Sequence, residues 1–219
     1  MELLKEIADL VAMGHANAQS KYPPTLAGQA GVAEKVTQAI SGGIEAQRIL
    51  VHGLMAGMEI VGRRFCTGEI FLPEVFMASK AMKAGVELLK PHLASAAVPR
   101  RGIFVLGTVQ GDVHDIGKNL VKIMVEGAGW EVVDLGTSVP AEQFVEAVRQ
   151  HRPLALGLSA LLTTTMQQMP VVIESLRRCE LDIPVIVGGA PVSESFARSI
   201  GAHYGHDPQA AIEFLAGLN

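Results

Sequence analysis

The hydrophobic rhythm of this chain changes once, near Arg101, and that change restricts its fold more than any other feature. Before it, apolar residues recur three to four positions apart, with no convincing period of two. Leu3, Ile7, Leu10 and Val11 form one such set, and Val32, Val36 and Ile40 a second. Ile44 to Arg64 carries a third, with Ile49, Leu50, Leu54, Met58 and Val61, and Glu74 to Lys90 a fourth, with Val75, Met82, Val86 and Leu89. This spacing puts one apolar stripe on each of four helices, and short connections make them an antiparallel bundle over 1–92. Pro73 suits the first turn of the fourth helix, where a missing N–H costs least. Tyr22-Pro23-Pro24 excludes a continuous helix there. Residues 93–101, with Ala94, Ala96, Ala97 and Pro99, have the composition of a linker. From 102 to 219, strands expected at 103–108, 131–135, 154–159, 183–188 and 202–204 alternate with helices. Such a βαβ series folds as a parallel sheet covered on both faces. The expected class is α/β, a four-helix bundle followed by a flavodoxin-like, Rossmann-like five-stranded parallel sheet.

Apolar residues make up 49% of the chain and charged residues 18%, enough for a packed core. A net charge of −4 and the absence of any Lys/Arg block argue against a nucleic-acid partner. No stretch reaches the roughly 18 apolar residues of a membrane span, and the first residues have neither a basic nor an apolar leader pattern. A cytoplasmic location without membrane contact is expected. Cys66 and Cys179 are far apart in sequence and read as reduced structural thiols.

The chemistry concentrates in Asp112-Val113-His114-Asp115-Ile116-Gly117-Lys118-Asn119, between the apolar run Ile103-Phe104-Val105-Leu106 and a helical pattern starting near Ile116. That places a histidine at the carboxyl end of a strand, where open α/β sheets bind ligands. A carboxylate two residues earlier can accept one imidazole N–H and orient the other nitrogen toward a metal. The third strand ends in Ser159-Ala160-Leu161-Leu162-Thr163-Thr164-Thr165, a concentration of hydroxyls, one of which is expected to cap the helix that follows. The fourth ends in Gly188-Gly189, where missing side chains open space or admit a close approach. In a parallel sheet all three reach one edge. No Gly-x-Gly-x-x-Gly or Walker lysine follows the first strand, which disfavours dinucleotides and nucleoside triphosphates. No second His, Cys or carboxylate is spaced to complete a protein-built metal site, so a metal would arrive inside a larger cofactor.

Asp112-Val113-His114-Asp115-Ile116-Gly117, Ser159-Ala160-Leu161 and Gly188-Gly189 together resemble the three-part signature of the cobalamin-binding fold that holds its cofactor base-off. The longer string Gly107 to Leu120 is similar to the corrinoid proteins of methylamine, methanol and methoxy-compound methyltransferase systems, and to the cobalamin module of methionine synthase. Gly57-Met58-Glu59 through Phe65, and Gly68-Glu69-Ile70-Phe71-Leu72-Pro73-Glu74, resemble the helical cap of that family. Near the last strand the chain departs from the family's Gly-Ala-Asp-x-Tyr, with Gly201-Ala202-His203-Tyr204 followed by Gly205-His206-Asp207.

The resemblance implies that His114 is the lower cobalt ligand through Nε2, that Asp112 is its hydrogen-bond partner, and that Thr165 extends this relay. It implies that Asp115, Ile116 and Gly117 of the motif contact the cofactor. Ser159, Leu161 and Thr163 would line the slot for the nucleotide tail, and Gly188 and Gly189 would leave room for the displaced dimethylbenzimidazole. Phe65 and Leu72, with Val75 in the same role, would cover the methyl group on the upper face. His203 and His206 are expected at the surface or in the tail pocket rather than on cobalt. The implied cofactor is cobalamin as methylcobalamin and cob(I)alamin, or a related corrinoid. The implied role is that of a methyl carrier that turns over nothing alone. Its partners would be a substrate-specific methyltransferase, a second methyltransferase to a thiol or tetrahydrofolate, and a reductive activase. The rival reading is a cobalamin-dependent sensor or regulatory module without methyl transfer.

Overall fold

The apolar stripes of the first half lie on the buried faces of helices: α1 (Glu2–Ala12), α2 (Val32–Ser41), α3 (Ala46–Ile49), α4 (Ala56–Cys66) and α5 (Leu72–Leu93). The computed structural model describes residues 2–93 and 101–218, and it divides into two compact units, Met1–Pro99 and Arg100–Asn219. Apart from Leu93 and Arg101, the expected linker lies outside the described residues. The third expected helix is α3 and α4 joined through a π-helical stretch, Leu50–Met55. Ile7, Val11, Ile49, Leu54, Val61, Val75 and Leu89 are fully buried in this unit. Helix α1 approaches α4 closely because Gly57 has no side chain: a Cβ there would lie 2.6 Å from Cβ of Val11 and 2.7 Å from the Ala8 carbonyl. The start of α2 is capped by the chain before it. The N–H groups of Val32 and Ala33 donate to the carbonyls of His15 and Ala16, and the Glu34 carboxylate accepts from Gly31 N at 2.8 Å.

The second unit alternates β1 (Ile103–Thr108), α6 (Ile116–Gly127), β2 (Glu131–Asp134), α7 (Ala141–His151), β3 (Ala155–Ser159), α8 (Gln168–Arg178), β4 (Val185–Gly188), α9 (Glu194–Ser199), β5 (His203–Gly205) and α10 (Pro208–Ala216). The five strands are parallel in the order β2-β1-β3-β4-β5, the expected flavodoxin-like arrangement. Strand β4 begins two residues later than expected because Pro184 has no N–H to give the ladder. Along β1 the side chains alternate between two cores. Val105 joins Phe144, Leu158 and Met169 on the side of α7 and α8. Phe104 and Leu106 join Val125, Ile186 and Leu215 on the side of α6 and α10. Each large side chain fully buried in this way contributes about 1.5–3 kcal/mol. The register brings Thr108, Ser159, Gly188 and Gly205 into one row at the carboxyl ends of four adjacent strands.

Candidate functional site

That row ends in loops whose hydrogen bonds converge on one carboxylate. Asp112 is fully buried. Its Oδ1 accepts from the backbone N–H of His114 at 3.0 Å and lies 2.7 Å from His114 Nδ1. Its Oδ2 accepts from the Thr165 hydroxyl at 2.6 Å and from the N–H groups of Leu161 and Leu162 at 2.7 and 3.4 Å. Burial alone would raise the pKa of this carboxyl. The Thr165 hydroxyl, the N–H groups of Leu161 and His114 and the imidazole outweigh it, and hold the group well below the usual carboxylate range. An ionised carboxylate can only accept, so the ring hydrogen sits on His114 Nδ1 and the Nε2 lone pair is left for another partner. Among the described residues Nε2 makes no hydrogen bond, and the His114 side chain is 45% exposed.

The loop is fixed on its other side as well. The Thr108 hydroxyl donates to the His114 carbonyl at 3.0 Å, and Ser138 N donates to the Asp112 carbonyl at 2.8 Å. Around His114 stand four exposed apolar side chains, Val113, Ile116, Leu161 and Leu162. Water is a poor neighbour for such a group, and an apolar patch beside an oriented histidine suits the face of a large flat ligand.

Beside this pair a cavity of about 290 Å³ opens under the strand ends, near the lower bound of small-molecule sites. Gly117, Ser159, Gly188 and Gly189 line it, whereas Leu161 and Thr163, expected in the tail slot, are not part of its lining. A Cβ on Gly117 would meet nothing within 4 Å, so this glycine leaves open space. The reason for glycine at 188 and 189 is different. A Cβ at 188 would lie 2.7 Å from the Gly205 carbonyl and one at 189 would lie 1.8 Å from the Ala160 carbonyl, and Gly189 has φ +126°. Neighbouring backbone, not only a ligand, demands those two.

The helix-capping role expected of one threonine is not found. Helix α8 begins at Gln168, its N-cap Gln167 makes no side-chain cap bond, and the Thr165 hydroxyl is taken by Asp112. Thr163 and Asp115 are exposed, and Asp115 accepts from the Asn119 side chain at 3.0 Å. His206 lines the cavity, whereas the His203 ring packs on Phe214 at 4.5 Å between centroids. In the helical unit Phe65 and Leu72 are half-buried, Phe71 is exposed, and Val75 is fully buried.

Sequence reasoning missed Lys118 and Asp134. The Lys118 ammonium is buried and donates to Asp134 Oδ1 at 2.5 Å and Asn119 Oδ1 at 3.0 Å, tying the start of α6 to the end of β2. Burial would raise the Asp134 pKa, but Lys118, the Gly136 N–H and Lys122 pull it below its ordinary value. Among the described residues no group of three or more His, Cys, Asp or Glu could hold a metal ion, so the donor set fits a metal that brings its other ligands with it. No helix of the described residues is long and apolar enough to cross a membrane.

Two family models for a B12 binding domain match the chain, one over residues 102–215 and one over 28–90. The dimethylamine corrinoid protein of Methanosarcina barkeri is 42% identical over 204 residues, covering 92% of this chain and 89% of the relative. Trimethylamine corrinoid protein 2 of Methanosarcina acetivorans is 40% identical over 184 residues, covering 82% of this chain and 85% of the relative. This chain belongs to the methyltransferase corrinoid protein family. Among solved structures, the methanol:cobalamin methyltransferase complex of Methanosarcina barkeri contains a chain that matches with TM-score 0.82 at 35% identity, covering 99% of this chain and 80% of that one. A cobalamin-binding protein from Desulfitobacterium hafniense matches with TM-score 0.75 at 29% identity, covering 100% of this chain and 97% of that one. The cofactor of this corrinoid protein is cobalamin or a related corrinoid. The exposed histidine on a buried carboxylate, the apolar patch and the adjoining cavity all fit such a group.

Proposed function

We propose that this corrinoid protein is a methyl carrier, holding its cofactor base-off with His114 Nε2 as the lower cobalt ligand. When bound, the corrinoid supplies a cobalt centre that accepts a methyl group and gives it up. Asp112 keeps the hydrogen of His114 on Nδ1, so Nε2 is the ligating atom. Thr165 and the Leu161 N–H hold Asp112 against rotation throughout. Val113, Ile116, Leu161 and Leu162 offer apolar surface to the macrocycle. Gly117, Ser159, Gly188 and Gly189 receive the nucleotide tail in the cavity they line, and the resemblance adds Leu161 and Thr163 of the loop after β3 as further tail contacts. Asp115 positions the first turn of α6 through Asn119. By the resemblance, Phe65, Leu72 and Val75 of the helical unit would supply the apolar cover that excludes water from the bound methyl group.

The chain then serves a substrate-specific methyltransferase, a second methyltransferase to a thiol or tetrahydrofolate acceptor, and a reductive activase. The likeness to a chain within a methanol:cobalamin methyltransferase complex supports the first of these. The observation that carries the proposal is the 2.7 Å contact between a fully buried Asp112 and a half-exposed His114. Visible spectra of the protein with methylcobalamin and hydroxocobalamin, recorded for wild type and His114→Ala, test it. Wild type should bind stoichiometrically with a base-off spectrum that His114→Ala changes. The same spectrum in both proteins would overturn the ligand assignment.

A further inference from the structure

The cavity under the strand ends is polar at its mouth and apolar at its depth. Ser159, Tyr204, His206 and Asp207 supply polar groups from the ends of β3 and β5 and the turn after β5. Two residues further down the strands the lining becomes Leu106, Gly157 and Ile186, one register row, with Phe104 below it. Gly157 determines where the floor lies. A Cβ on it would come within 2.4 Å of Phe104 Cζ and 2.7 Å of Leu106 Cδ1, so the Phe104 ring reaches over a bare glycine. Leu120 of α6 and Ala211 of α10 contribute to the walls. None of these inner side chains can donate or accept a hydrogen bond. The parallel ladder already engages the strand backbone there. Lys118 also lines the cavity, but its ammonium is committed to Asp134 and Asn119.

We infer that this inner end selects the lower base of the corrinoid, taking a benzimidazole-type base in preference to a purine. The inference rests on the reading of the cavity as the receptacle of the nucleotide tail. Either base joins its ribose through the five-membered ring, so the six-membered ring leads into the cavity. In a benzimidazole that ring is a carbocycle, which buries against Phe104, Leu106 and Ile186 with no polar group left unmet. In adenine it carries two ring nitrogens and an exocyclic amine. These lose their water at the apolar end and find no partner, a cost that discriminates more sharply than shape. Phe104, seated over Gly157, and Ile186 are the specificity-determining residues.

Spectral titration of the full chain with three corrinoids that differ only in the tail tests this. The ligands are cobalamin, its analogue with adenine as the lower base, and cobinamide, which has no nucleotide. Cobalamin should bind at least about tenfold more tightly than the adenine analogue, and more tightly than cobinamide. Equal binding of cobalamin and the adenine analogue, both tighter than cobinamide, would overturn the selection and leave the tail cavity standing. Equal binding of all three would overturn both. Ala211→Ser adds one hydroxyl to the inner lining and should narrow the preference for cobalamin over the adenine analogue. An unchanged ratio would show that the apolar lining does not select.

Discussion

Two histidines, one in each unit, are held in opposite ways. His15 of the helical unit is fully buried, with Nδ1 and Nε2 each 3.0 Å from a backbone carbonyl, those of Tyr22 and Gln29. The nitrogen that carries the ring hydrogen donates it to a carbonyl of the connection between α1 and α2, and neither nitrogen faces outward. His114 of the α/β unit spends only Nδ1, on a carboxylate, and keeps the edge bearing Nε2 for something outside the chain. The difference lies in the partner. Carbonyls at both ends make an imidazole a staple, whereas an anion at one end fixes the tautomer and strengthens the other nitrogen as a donor. Only the second arrangement is announced locally, by an aspartate two residues before the histidine.

The sharpest way to break the comparison is to remove that anion. Asp112→Ala leaves the N–H groups of His114, Leu161 and Leu162 without their acceptor and the Thr165 hydroxyl with only the Leu162 carbonyl. With several donors orphaned at once, stability should fall by about 3–5 kcal/mol, as read from urea unfolding. The corrinoid spectrum should lose its dependence on His114. Retention of both would mean that something other than Asp112 orients the ring. The complementary change is His15→Phe, which takes the ring nitrogens away from the Gln29 carbonyl and from the Tyr22 carbonyl, the latter still held by the Ser20 hydroxyl, and should cost about 1 kcal/mol while leaving the corrinoid spectrum unaltered. A spectral change in that variant would erase the distinction between staple and ligand.

The strand ends were legible because apolar runs, a motif and a Gly pair each sit where the βαβ rhythm stops. Asp112, His114 and Thr165 were legible with them, since the motif and the hydroxyl cluster both lie just beyond strands that the fold makes neighbours. The fate of the Thr165 hydroxyl was less legible. A hydroxyl before a helix reads as a cap, and nothing within its own segment reveals that Asp112, 53 residues away, takes it instead. His15 was invisible for a related reason, because its partners are carbonyls, which every residue has. Lys118 and Asp134 sat unnoticed because their pairing depends on the packing of α6 beside β2, and sequence spacing does not report it. Gly188 and Gly189 were found for an incomplete reason, since space for a ligand and contact with neighbouring backbone leave the same mark in a sequence.

The comparison of histidines extends to the two carboxylates of the α/β unit with depressed pKa values. Asp112 orients a group that faces outward, whereas Asp134 holds a buried ammonium and exposes only 17% of its own side chain. Asp134 should therefore act on stability and hardly at all on the cofactor spectrum. Its pKa is lowered in the folded state, so its stabilising contribution is complete above the unfolded value of about 3.9 and declines as pH falls through the lower folded value. Asp134→Asn keeps an oxygen for Lys118 but removes the charge. It should cost about 1 kcal/mol near neutral pH, and the gap between variant and wild type should close as pH falls below about 4. Asp112 protonates in the same direction in both proteins, so its effect cancels in the difference. Denaturant midpoints measured in parallel from pH 7 to pH 3 would decide it. A gap that stays constant over that range would show that shape, and not charge, is what Asp134 contributes.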